Sequence, residues 1–179
     1  MVRASAQAEA LAGLSQDAAG LRDLWNRLPE AERLHPKVAL AAARSFVRLG
    51  GDREAVEILA RSLDRQWDPA LVAAFADCRP ADPSRQLETA ERWLTQHSDD
   101  ATLLCALGRL CERAQLWGKA QTYYEASLAL DDHWRAHVLL ANMLARLGRD
   151  DEANAHLAAG LKRALADLGA SGLAGNQGP

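Results

Sequence analysis

His133 and His137 stand four residues apart, which puts two imidazoles on one helix face at a spacing that metal sites use. Two features of the sequence weigh against a metal. His137 falls where Leu104 falls one unit earlier, which suits packing between helices, and His133 belongs to the turn before its helix. Cys78, Cys105 and Cys111 form an odd set with no C-x-x-C spacing. Cys105 and Cys111 lie six apart, roughly 120° around a helix, too far round for a shared metal or an easy disulfide. All three are expected as reduced thiols, buried or half-buried, which favours a cytoplasmic setting. Carboxylates such as Glu88, Glu91 and Glu125 scatter over predicted outer faces. There is no phosphate loop, G-x-S-x-G, H-E-x-x-H or dinucleotide fingerprint. The sequence therefore assigns no catalytic residue, metal ligand or cofactor ligand, and the chain does not read as an enzyme. What remains is a set of basic side chains at regular intervals.

The elements that would position them are helical hairpins. In the stretch 100–132, Leu104, Leu107, Leu110 and Cys111 recur at helical spacing, and Trp117, Ala120, Tyr124 and Leu128 form a second stripe after a break. Leu107-Gly108, Ala120 and Tyr124 resemble the core of the tetratricopeptide pattern, W-x2-L-G-x2-Y…A-x3-F…P, with Leu104 for Trp, Cys111 for Tyr and Asp132 for the closing Pro. The small residue recurs as Ala55, Ala90, Ala120 and Ala153, at intervals of 35, 30 and 33 residues. Leu59, Leu94, Tyr124 and Leu157 follow by four in each case. The fold class expected is all-α: a right-handed superhelix of about four tetratricopeptide-like hairpins, at 36–66, 68–98, 100–132 and 133–168. A helical extension over 1–35 precedes them, and 169–179, rich in glycine, is expected to be disordered. Caps are expected at Ser15, Asp52 and Asp150, and PEAER after Pro29 is expected as a short turn.

At 179 residues the chain is long enough to bury a sizeable core, and 49% hydrophobic residues, many of them alanine, favour close-packed helices. A net charge of −3 argues against nucleic acid as a partner. No apolar run is long enough to span a bilayer, so the chain is expected to behave as soluble.

Against that negative balance, positive charge gathers on the first helix of each hairpin, the helix that lines the groove of a tetratricopeptide superhelix. Lys37, Arg44 and Arg48 come from the first hairpin, Arg109 and Arg113 from the third, and Arg135, Asn142 and Arg146 from the fourth. Arg44, Arg109 and Asn142 occupy equivalent places, as do Arg48, Arg113 and Arg146. Guanidinium groups pair bidentately with carboxylates, so the pattern points to an acidic protein or peptide segment as partner. The plainer reading stands beside it: Arg48, Arg113 and Arg146 close their helices, where a cation favours the helix dipole, and some would bridge to Glu112.

Residues 87–130, through AERWL, LLCALGRLC, QLWGKAQ and YEASLAL, resemble the C-terminal repeats of proteobacterial HemY proteins; LWNRLP and RLGG upstream match less specifically. The resemblance implies a role in haem and porphyrin metabolism. It also implies an N-terminal membrane anchor, lacking here, that would hold the full-length protein in the inner membrane with its repeats on the cytoplasmic side. On this footing the chain is a non-catalytic scaffold whose groove takes acidic segments, enzymes of late haem synthesis among them. The alternatives are a groove that takes haem or a porphyrin directly, with Leu40, Cys105 and Val138 on its floor and His97 as a loop candidate for ligand, and a generic helical-repeat assembly module.

Overall fold

The computed structural model describes residues 2–14 and 16–174. The regular elements among the described residues are all helices: α1 (Val2–Gly13), α2 (Ala18–Arg27), α3 (Glu30–Arg33), α4 (Pro36–Arg48), α5 (Asp52–Arg65), α6 (Pro69–Asp77), α7 (Pro83–Trp93), α8 (Ala101–Arg113), α9 (Trp117–Leu130), α10 (Trp134–Arg146) and α11 (Asp150–Ala174). They fall into two compact units, Met1–Trp93 and Leu94–Pro179. The break lies inside the hairpin expected over 68–98, and α1 packs on α4 in the first unit, so the segment 1–35 shares a core with the first hairpin.

The hairpin starts are set by short side chains that accept from freed backbone N–H groups. Asp17, Asp68 and Asp100 cap α2, α6 and α8, and His35 and His133 do the same for α4 and α10 through Nδ1. Ser15, expected as a cap, lies outside the described residues. Asp52 and Asp150 are not caps but the first residues of α5 and α11. Asp52 instead accepts from the backbone N–H of Arg79 at 2.6 Å. PEAER is not a turn but the short helix α3.

The turn between paired helices is the same in three hairpins. Gly51, Leu116 and Arg149 each donate a backbone hydrogen bond to the carbonyl five residues back, those of Phe46, Cys111 and Leu144, at 2.8–3.0 Å. The residue before each donor takes a left-handed conformation: Gly50 (φ 75°), Gln115 (φ 59°) and Gly148 (φ 73°). Glycine adopts this without cost, whereas the Cβ of Gln115 opposes it.

Packing within a hairpin relies on small residues. Ala55, Ala90 and Ala120 are fully buried and Ala153 nearly so. Seven residues on from three of these alanines come Ser62, Ser127 and Gly160. Ser62 and Ser127 donate through Oγ to the carbonyls of Leu34 and Ala101 at 2.9 and 2.7 Å. A Cβ at Gly160 would meet the Trp134 carbonyl at 3.2 Å. The tightest approach is in the hairpin of α8 and α9, where a Cβ at Gly108 would sit 2.6 Å from the ring of Tyr124. That ring cannot swing aside: it is fully buried, and its hydroxyl donates to Glu112 Oε2 at 2.9 Å. Burial, with Glu112 next to it, pushes the Tyr124 hydroxyl far above its ordinary pKa, so it stays a donor.

In the hairpin of α10 and α11, His137 is buried against Gly160, its Nδ1 lies 2.9 Å from His156 Nδ1, and its Nε2 donates to Asp132 at 2.7 Å. Arg163 of α11 closes the same carboxylate. Burial first, and then the neighbouring His137, lower the pKa of His156, while Glu125 and Glu152 pull it back up. Helix α11 runs on to Ala174, past the boundary expected at 168; residues 175–179 lie outside those described.

Three outcomes follow from this packing. Gln115→Gly relieves the left-handed backbone and raises the melting temperature, by about 1 kcal/mol of stability. Gly108→Ala lowers it by about 1–3 kcal/mol, because the Tyr124 ring is fixed at both ends. The depressed His156 contributes stability that is complete above its unfolded pKa, about 6.5, and is lost as pH falls through its lower folded value. Melts at pH 7.5 and 5.5, values set about 1 unit either side of that point, should therefore show a drop in acid that His156→Gln reduces.

Candidate functional site

The turn register places the basic residues of the first helices at matching distances. Arg44, Arg109 and Asn142 each stand six residues before the left-handed position, and Arg48, Arg113 and Arg146 two residues before it. Lys37 and Arg135 each follow a capping histidine by two, and their backbone N–H groups donate to His35 and His133. Equivalent places do not give equivalent surroundings.

In the first unit, Lys37, Arg44 and Arg48 all lie exposed on α4, and among the described residues none of the three is in an ion pair. In the second unit the charges are sorted. Arg146 donates to Glu112 Oε1 at 2.6 Å and lies 5.1 Å over the ring of Trp117. Glu112, its side chain only 16% exposed, thus receives both Arg146 and the Tyr124 hydroxyl. Arg146 is therefore a clamp between α10, α8 and α9. Arg113 is half-buried, with its Nε shielded from solvent. Arg135 is exposed and lies 5.7 Å over Trp134, and Asn142 is exposed.

Arg109 and Arg135 converge on a common neighbour. Burial pushes the Cys105 thiol up to about 11, and the guanidiniums of Arg109 and Arg135 pull it back toward its ordinary value. Cys105 is thus a neutral thiol at physiological pH, half-buried and within electrostatic reach of cations on α8 and α10. Cys78 and Cys111 are buried, and none of the three cysteines is in a disulfide among the described residues. Leu40 in the first unit and Cys105, Val138 and His97 in the second are half-buried.

The two histidines spaced for a metal have separate tasks. His133 caps α10, and His137 turns into the α10–α11 contact. The bridge to Glu112 that the sequence offered for its helix-closing arginines is made by Arg146, 34 residues away, whereas the His156 partner of His137, 19 residues distant, was missed. It also missed a cavity of about 260 Å³ in the first unit, lined by residues of α2, α3, α4 and α5. The one available signal there was the density of arginine and glutamate in 22–33 around Trp25. Among the described residues no helix is long and apolar enough to cross a membrane.

No family model matches this chain, and no curated protein matches it. Solved structures do. A thermophilic TPR protein of Thermus thermophilus, TTC0263, aligns with a TM-score of 0.64 at 21% identity, over 90% of this chain and 93% of its own. MamA MSR-1 aligns with a TM-score of 0.55 at 12% identity, over 93% of this chain and 99% of its own. MamA 41-end from Desulfovibrio magneticus RS-1 gives 0.56 at 16%, over 89% and 96%. At these identities the likeness is one of fold. The chain has the all-α helical-repeat fold found in tetratricopeptide-repeat proteins.

Proposed function

We propose that this protein is a non-catalytic interaction scaffold that binds an acidic protein segment through the basic faces of its first helices. What supports this reading is the recurrence of basic residues at equivalent places on the first helices, with Arg109 and Arg135 of neighbouring helices both acting electrostatically on the half-buried Cys105. Two guanidiniums from neighbouring helices, over a patch that cannot itself take a negative charge, favour a carboxylate ligand. Arg44, with Lys37 and Arg48 on α4, provides a second basic face in the other unit. Arg113 and Asn142 flank the Arg109 site along their helices. Arg146 contributes less, because Glu112 already neutralises it.

The setting of the scaffold is read from the motifs of residues 87–130, whose resemblance to HemY proteins supports enzymes of late haem synthesis as partners and an inner-membrane location for the full-length protein. A pull-down from the native membrane with the full-length protein tests that setting, and recovery of no haem-synthesis enzyme would remove it.

Calorimetry with a glutamate-rich peptide tests the site itself. Arg109→Ala with Arg135→Ala should weaken binding at least about tenfold, equivalent to roughly 1.4 kcal/mol, and added salt should weaken the wild type likewise. Arg146→Ala should leave affinity nearly unchanged while lowering stability by about 0.5–1 kcal/mol, as a half-exposed ion pair does. Salt-independent binding that ignores the Arg109 and Arg135 changes would rule the site out.

A further inference from the structure

The first unit holds a cavity of about 260 Å³ that none of the proposed groove residues lines. Its apolar walls are Trp25 of α2, Leu34 after α3, Phe46 of α4 and Ile58 of α5. Its charged lining is nearly all spoken for. Glu30 takes Arg61 at 2.6 Å, Glu54 takes Arg22 at 3.5 Å, and Glu57 takes Arg53 at 3.3 Å. The first two of these pairs tie α3 and α2 to α5 around the opening.

Arg33 is the exception. It lines the cavity with its guanidinium 5.8 Å over the Trp25 ring, and its Nε is shielded from solvent with no acceptor among the described residues. A polar N–H withdrawn from water and left unsatisfied is costly, and native structures keep few of them without a reason. The rest of α3 is arranged to keep Arg33 there: Glu30 is held by Arg61, and Glu32 by Arg3 and Gln7 of α1. The lining is balanced overall, three arginines against three glutamates, and Arg33 is its one arginine in no ion pair among the described residues.

We propose that this cavity is a binding site for a small organic carboxylate with an apolar body, the acid group accepting from Arg33 and the body lying against Trp25, Phe46 and Ile58. A carboxylate oxygen supplies the acceptor that Nε lacks, and the guanidinium fork holds it in a fixed direction. The volume sets the size: it lies just below the range of drug-sized pockets, about 300–1,000 Å³, and suits a fragment of one ring or a short branched chain. Aromatic stacking on the other face of Trp25 would orient a flat body.

The experiment is calorimetry on the full chain with phenylacetate, butyrate and the neutral isostere phenylacetamide as probes. At least one acid should bind saturably, and phenylacetate at least about tenfold more tightly than its amide. Arg33→Gln, checked for native helicity by circular dichroism, should abolish that preference. Arg33→Lys retains the charge but not the Nε fork and should recover only part of it. Neither variant should alter binding of the glutamate-rich peptide, so failure here is separable from failure of the scaffold reading. Absence of saturable heat with both acids up to about 10 mM, well above the 1 mM affinity scale of weak fragments, overturns the assignment. So does equal affinity for acid and amide, or a preference that survives in Arg33→Gln.

Discussion

The backbone of α8 lies against the ring of Tyr124 because position 108 carries no side chain, and much of the hairpin's geometry depends on that contact. A helix pair packs at a distance set by the side chains between its axes. Gly108 with Ala120 lets α8 and α9 approach closely, and the Tyr124 hydroxyl on Glu112 fixes the ring that fills the gap. Seven residues beyond the small alanine, Ser127 ties the far end of α9 to the Ala101 carbonyl at the start of α8. Ser62 repeats the device between α5 and the Leu34 carbonyl. Both of these second helices are thereby held at their far ends against what precedes them.

The charged groups then divide by what the hairpins need. Arg146, Arg61, Arg22 and Arg163 all reach carboxylates on other elements, those of Glu112, Glu30, Glu54 and Asp132. As half-exposed pairs, each contributes little to stability. Their larger effect is to remove charge from the surface. In the second unit, Arg109 and Arg135 lie beside a thiol that stays neutral, because burial outweighs the pull of two cations. What a basic face offers a ligand depends on which of its cations the hairpins have already matched, and a count of arginines per helix overstates it.

The repeat was readable because it is written locally. The buried alanines at 55, 90, 120 and 153 obey a period that any window of the chain reveals. The glycines at 50 and 148 announce left-handed turns in the same way, whereas Gln115, although it falls in the break between two stripes, does not announce one by its type until its two counterparts are aligned with it. Charge pairing was less accessible. Arg146 and Glu112 are 34 residues apart, so their meeting depends on how hairpins stack. Asp52 looked like a cap by type and position, yet the chain places it one residue inside α5, where the Arg79 N–H claims it. Arg33 was hidden differently. PEAER is too short for periodicity to register, and its orientation is imposed by Arg61, Arg3 and Gln7, which sit on α5 and α1.

The last helix shows why a stripe of leucines does not by itself specify burial. Leu157 occupies the place of Leu59 and Tyr124, both fully buried, yet it is 43% exposed, and Leu161, Leu165 and Leu168 are more exposed still. Among the described residues of α11, the buried ones, Ala153 and Gly160, are small. In a stacked repeat each hairpin has two apolar faces, and a neighbour on each side is required to cover both. Among the described residues the helix that packs on α11 is α10, its partner within the same hairpin. The same side-chain pattern is therefore core in α5 and α9 and surface in α11, because burial depends on what packs against the helix rather than on the position in the repeat.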